Sequence, residues 1–259
     1  MMARMRVTVC QLPDDRDAFD ERWRALCVHA RAEQPKLIVL PEMPFALWFA
    51  ARRPFDEAVW RAAEEAHGHW ARRLKEIGES IVVYSRPATV NGVRRNEGVA
   101  ASGDGAETIA HVKRYLPDEP GFWEANWYEC GDGAFAVASA GGAEIGFQIC
   151  TDLWFFEEAR KLGLAGAEII ACPRATPEAS TERWLVAGQA AAITAGAFCL
   201  SSNRDGPGRE GVVFGGAGWI IDPDGELIAR TSEAAPFATH DINLGKAREA
   251  KRTYPRYVR

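Results

Sequence analysis

The chain has 259 residues, enough to bury a sizeable core, and its 47% apolar and 26% charged content is the balance of a folded globular protein. A net charge of −5 gives no electrostatic footprint for a polyanion; the pairs Arg52-Arg53, Arg72-Arg73 and Arg94-Arg95 are interleaved with acids and read as solvated faces, so nucleic acid is excluded as a main partner. No apolar run is long enough to span a membrane, and the opening "MMARMRVTVCQL" enters a strand-like alternation without an apolar signal region, which leads us to expect a cytoplasmic protein.

Short β-branched runs predict strands at 6–12, 37–42, 80–86, 107–115, 143–150, 167–173, 197–203 and 217–223. Helical patterns lie between several of them, at 16–33, 56–76, 154–165 and 180–195. The last contains "AGQAAAITAG", whose small residues suit close packing. Strand, helix, strand in succession implies an α/β layered protein. Tight-turn signals at "VNGV" (90–93), "SGDG" (102–105) and "DPDG" (222–225) add hairpins to the sheet. With no Pro/Gly/Ser-rich linker and no repeat, the economical reading is a single domain over 1–259. Its basic tail, 243–259, is either solvated or crosses to a partner subunit.

Six cysteines (Cys10, Cys27, Cys130, Cys150, Cys172, Cys199) show no CxxC and no spacing that pairs with histidines, which argues against a metal site. Most read as small buried hydrophobes. Cys150 differs, because it stands where the apolar alternation "AEIGFQIC" stops and the amphipathic "TDLWFFEEARKLGL" begins. An abrupt strand-to-helix corner aims a side chain outward and leaves backbone N–H groups to stabilise an anion. Such a corner activates a thiol and supplies part of an oxyanion hole. It is not the G-x-S-x-G elbow, since Gln148 and Asp152 occupy the two glycine positions. A thiol also needs a base. Histidine is weakly supported: only His111 falls on a strand near other polar groups. Glu42, closing "LIVLPE", and Lys113, in "AHVKRYLPDEPGFWE", are ionisable groups at strand ends where burial demands a partner, and each can be the other's.

With their surrounding words, these residues carry a resemblance. The stretches "LIVLPEMPF", "HVKRYLPDEPGFWEANWYECGD", "IGFQICTDLWFFEEARKLGLAGAEIIACP" and "LSSNRDGP" with "FGGAGWIIDPDGELIA" occur in the order of the nitrilase (carbon-nitrogen hydrolase) superfamily, which the chain resembles over essentially its whole length. The resemblance implies a four-layer α-β-β-α sandwich and a Glu-Lys-Cys triad: Cys150 as nucleophile, Glu42 as general base, Lys113 as the cation on the tetrahedral oxyanion. The phrase after the lysine looks most like N-carbamoylputrescine amidases, where a second glutamate falls on Glu124, with Glu119 and Glu129 as neighbouring alternatives. The backbone N–H of Thr151 is the expected second oxyanion donor. Trp48 stands where many relatives carry a tyrosine, although "EMPFALW" lacks the usual Thr-Gly before it. Trp123, Trp127 and Trp154 are either core aromatics or pocket walls.

The expected substrate is a small amide or N-carbamoyl compound, because "CTD" replaces the "CWE" of nitrilases. Arg174, in "CPRAT", either offers its fork to a substrate carboxylate or makes a surface salt bridge. The first option would favour an ω-amidase or nitrilase acting on a carboxylate-bearing substrate and disfavour a polyamine. A catalytically silent interaction module is the reading from another class, opposed by the presence of Glu42, Lys113 and Cys150 together. No metal or organic cofactor has a task in this chemistry. A homodimer or higher homo-oligomer is expected, one helical layer packing on a second subunit.

Overall fold

The computed structural model describes residues 4–258. In chain order the elements are β1 (Arg4–Pro13), α1 (Arg16–Glu33), β2 (Leu37–Val39), α2 (Glu57–Ala71), β3 (Ile81–Val90), β4 (Val93–Ala101), β5 (Glu107–Val112), α3 (Glu124–Trp127), β6 (Val137–Ala140), β7 (Ala143–Phe147), α4 (Phe156–Leu164), β8 (Ile169–Arg174), α5 (Thr181–Ala195), β9 (Phe198–Pro207), β10 (Val213–Gly215), β11 (Trp219–Ile221), β12 (Leu227–Arg230), β13 (Phe237–Asn243) and α6 (Leu244–Ala250). No helix among the described residues is long and apolar enough to cross a membrane.

Local signals explain the helix boundaries. Asp15 caps α1 by accepting from the Ala18 N–H, and α1 stops where Gln34 turns left-handed. Its buried residues Phe19, Trp23, Leu26, Cys27 and Ala30 recur at helical spacing and form one face. Asp56 caps α2 in the same way and aligns Trp60, Ala63, His67 and Trp70 inward. The helix predicted over 56–76 ends sooner, at Ala71, and a separate 3-10 turn follows at Leu74–Ile77.

The strands run β5-β4-β3-β2-β1-β9-β8-β7-β6, with β13 added to β1. β1 belongs to both halves: Val7–Val9 pair in parallel with β2, while Gln11–Pro13 pair in parallel with Asn203–Asp205 of β9. Alternation along the strands then divides the apolar residues into three layers. Val7, Val9, Leu37 and Val39 face Ile145, Phe147, Ile169, Ala171, Phe198 and Leu200 between the sheets. Cys10, Leu12, Ile38, Leu40, Val82 and Tyr84 turn the other way, onto α1 and the end of α2. On the far side Ile170, Cys172, Cys199 and Ile221 pack on α4 and α5. The result is an α-β-β-α sandwich, in which each fully buried Val, Leu, Ile or Phe contributes about 1.5–3 kcal/mol.

All three predicted turns join hairpins: Asn91-Gly92 between β3 and β4, with both residues at positive φ, 102–105 between β4 and β5, and 222–225 between β11 and β12. Strands β4, β6, β10, β12 and β13 fell outside the sequence prediction. β4 was hidden by its arginines, and these are not merely solvated: Arg94 Nε donates to the Trp127 carbonyl at 2.6 Å and Arg95 to that of Cys130 at 2.9 Å. The tail to Val258 folds back on its own chain. Leu244 and Ala247 join the inter-sheet layer, Lys251 donates to the carbonyls of Ala167 and Gly196, and Arg256 to that of Ile193. Arg259 and residues 1–3 lie outside the described residues.

Strand direction decides where chemistry collects. β1, β2 and β3 are parallel, β4 is antiparallel to β3, and β5 antiparallel to β4, so β5 points the same way as β2. β7, β8 and β9 are parallel to one another and, through β9, to β1. The segments after β2, β5 and β7 therefore emerge at one edge of the sandwich, the end where α/β sheets bind ligands.

Candidate active site

Glu42 follows β2, Lys113 follows β5 and Cys150 follows β7, and the fold brings the three together. Lys113 Nζ donates to Glu42 Oε1 at 2.8 Å and to Glu124 Oε2 at 2.5 Å, and all three side chains are fully buried. Glu119 and Glu129 are exposed, so Glu124 is the glutamate of that phrase that reaches the lysine. The strand predicted over 107–115 ends at Val112, which frees Lys113 from the sheet. Its backbone is still held, N–H to the Asn96 carbonyl at 2.9 Å and carbonyl from the Gly131 N–H at 2.8 Å. Gly131 is required there, since a Cβ would lie 2.4 Å from the Val112 carbonyl oxygen.

The strand predicted over 143–150 likewise ends early, at Phe147, and Cys150 starts a 3-10 turn with φ of +48°, in the left-handed region. Met43, beside Glu42, is left-handed too, at +43°. Non-glycine residues hold such conformations where the surroundings over-determine them. Asp152 supplies much of that constraint: it accepts from the N–H groups of Ile149, Arg114 and Tyr115 at 3.2, 3.1 and 3.0 Å, and it pairs with His111 Nε2 at 2.8 Å. One carboxylate thus ties the turn bearing Cys150 to the segment bearing Lys113. Arg204 does the same for Glu42, donating to the carbonyls of Glu42, Met43 and Ala46 while paired with the buried Asp14.

The charge states follow from burial and neighbours. Burial pushes the Cys150 thiol well above its ordinary value, Glu42 adds to the rise, and Lys113 only partly opposes it. Burial would lower Lys113, but Glu124 and Glu42 outweigh it and hold the ammonium well above the usual range. Glu124 is pushed up to about 7 by burial, against the pull of Lys113. A neutral thiol thus lies beside a fixed cation and two acidic side chains, an arrangement in which a base can generate a thiolate.

The sequence-predicted binding residues divide. Trp48 is fully buried, its indole donating to the Gly121 carbonyl at 3.0 Å, in a cluster that also holds Ala175, Val212 and Phe214. Ala175 reaches the site directly, its carbonyl 3.9 Å from Cys150 Sγ. Thr151 is half-buried in the Cys150 turn. Trp127 is core, donating to the Arg52 carbonyl, whereas Trp123 is half-buried under the Arg53 guanidinium. Trp154 is exposed and rests on Trp184. Arg174 corrects both readings given to it, because it is neither at the surface nor open to a carboxylate. It is fully buried 3.8 Å over the Trp219 ring, with its fork donating to Ser201, Thr176 and the Ala217 carbonyl. Residues missed from sequence are Asn96, Tyr128, Asp152 and Arg204; an asparagine interrupting the β4 run and a tyrosine four residues after Glu124 were the available signals.

The chain belongs to the carbon-nitrogen hydrolase family, whose model matches residues 6–252, and it is an enzyme acting on carbon–nitrogen bonds other than peptide bonds. Among curated proteins it is 31% identical to the N-carbamoylputrescine amidase of Arabidopsis thaliana, over 85% of this chain and 80% of that one. It is 27% identical to the citrullinase of Francisella tularensis subsp. tularensis, over 93% and 90%. Among solved structures, the carbon-nitrogen hydrolase of Helicobacter pylori G27 superposes with a TM-score of 0.84 at 23% identity, covering 98% of this chain and 94% of the other, a likeness of fold.

Proposed function

We propose that this protein hydrolyses a small amide or N-carbamoyl compound through a cysteine thioester. The observation that carries the reading is the Lys113 ammonium shared by Glu42 and Glu124 at the strand edge where Cys150 turns left-handed. In the first half-reaction Glu42 takes the Cys150 proton and the sulfur attacks the carbonyl carbon. Lys113, with the Thr151 N–H, holds the tetrahedral oxyanion, a contact whose loss typically costs about 2.7–4 kcal/mol of transition-state stabilisation. As the C–N bond breaks, Glu42 returns the proton to the leaving nitrogen. In the second half Glu42 takes a proton from water, the hydroxide displaces sulfur, and the product leaves with the thiol restored. For an N-carbamoyl substrate the products are the amine, ammonia and carbon dioxide.

The commitment of Arg174 to Ser201, Thr176 and Ala217 removes the support for a carboxylate subsite there. The objection to an N-carbamoyl polyamine goes with it, and the relatives' activities make N-carbamoyl amines the first compounds to try. The decisive experiment is ammonia release from N-carbamoyl amines, N-carbamoyl amino acids, ω-amides and nitriles, with Cys150→Ala as control. We expect turnover of an amide or N-carbamoyl class that disappears in the variant. Turnover that survives the substitution would dismiss Cys150 as nucleophile, and turnover confined to nitriles would dismiss the substrate class.

A further inference from the structure

The buried hydrogen bonds around Lys113 are closed by a side chain with no step in the reaction above. Tyr128, the residue after α3, is buried, and its hydroxyl donates to Glu124 Oε2 while accepting from Asn96 Nδ2 at 3.4 Å. Asn96 Nδ2 also donates to Glu42 Oε1 at 2.7 Å. Glu42, Lys113, Glu124, Tyr128 and Asn96 thus form a closed circuit, and Glu42 Oε2 and Glu124 Oε1 keep no protein partner among the described residues.

Two carboxylates competing for one ammonium in a dry site cannot both stay ionised without further donors. Burial, together with Glu124 and Glu42, holds the Tyr128 phenol well above its ordinary value, so it keeps its proton and serves only as a donor to Glu124. We propose that Tyr128 is a positioning residue for the hydrolysis: bridging Glu124 and Asn96, it holds Glu124 as an anion that shares Lys113 with Glu42. Lys113 is then kept between the two carboxylates instead of collapsing onto the base. This inference rests on the roles given above to Cys150, Glu42 and Lys113.

The sign of the test follows from the groups involved. Lys113, Glu42 and Tyr128 are the titratable groups that act on Glu124, while Glu42, Lys113, Glu124 and the buried Arg174 act on Cys150. Without the phenol hydroxyl, Glu124 keeps its proton to higher pH. One negative charge fewer then opposes the thiolate at Cys150, whose formation becomes easier.

The experiment is alkylation by iodoacetamide, read at Cys150 by peptide mass spectrometry across pH, in wild type and Tyr128→Phe. At about pH 7.5 the variant should react about threefold faster, and at about pH 5.5, where Glu124 is protonated in both, the rates should coincide. In a Glu124→Gln background, adding Tyr128→Phe should change nothing at either pH. Equal or slower reaction at the higher pH, the same acceleration at both, or an effect that persists without Glu124 would overturn the inference, since mere loosening speeds alkylation throughout. A wild-type Cys150 inert at every pH would remove the proposed nucleophile and this inference with it. A reactive Cys150 with coincident profiles would remove the role of Tyr128 alone.

Discussion

A carboxyl group that titrates near 7 in the folded chain leaves a mark on stability as well as on reactivity. Glu124 is raised from an ordinary 4.5 to about 7, so between these values the folded state binds a proton that the unfolded chain has lost. Stability should therefore fall as pH rises through that window. Lys113, raised instead, keeps its charge throughout and adds no slope there. Denaturant unfolding at several pH values should show the decline in wild type and a flatter profile in Glu124→Gln; parallel profiles would contradict the assignment. At the same scale, Arg174 shows what a sequence conceals: "CPRAT" says nothing of Trp219 or Ser201, which come from strands 27 or more residues away and decide what its fork contacts.

Among the elements, the turn at Cys150 depends on Asp152 more than on its own helix. Asp152→Ala would strip acceptors from the N–H groups of Ile149, Arg114 and Tyr115 and from His111. At about 1–3 kcal/mol for each buried donor left unsatisfied, a loss of several kcal/mol is expected by thermal or denaturant unfolding. Alkylation of the buried Cys150 should speed up relative to that of the exposed Cys130, because a turn no longer tied to the lysine segment admits the reagent more readily. A variant as stable as wild type and with the same ratio of the two rates would show that the turn holds itself. Two strands also end earlier than their sequence pattern predicts. Periodicity carried the runs 107–115 and 143–150 past Lys113 and through Cys150, whereas both residues lie beyond the last strand residues, where the pleat no longer dictates direction.

For the whole molecule, the outer face of the α4–α5 layer presents Leu164, Val186 and Ile193, with Trp154 on the same side layer. If that layer packs on a second copy of the chain, sedimentation at micromolar concentration should give at least twice the chain's 28.5 kDa. Monomer alone would dismiss it. The tail does not decide the matter, since Lys251 and Arg256 anchor it to its own subunit.

From the sequence alone came the α/β layering, the three hairpins and the triad candidates, because strand alternation, turn chemistry and an ionisable group at the end of an apolar run are local signals. The family resemblance then supplied the roles of Glu42, Lys113 and Cys150. Which acid meets the lysine, what Arg174 contacts, and the closing of the circuit by Asn96 and Tyr128 emerge from packing alone. Those outcomes depend on side chains from strands distant in sequence converging at one edge of the sandwich, and on burial, which sets each proton only after the fold has excluded water.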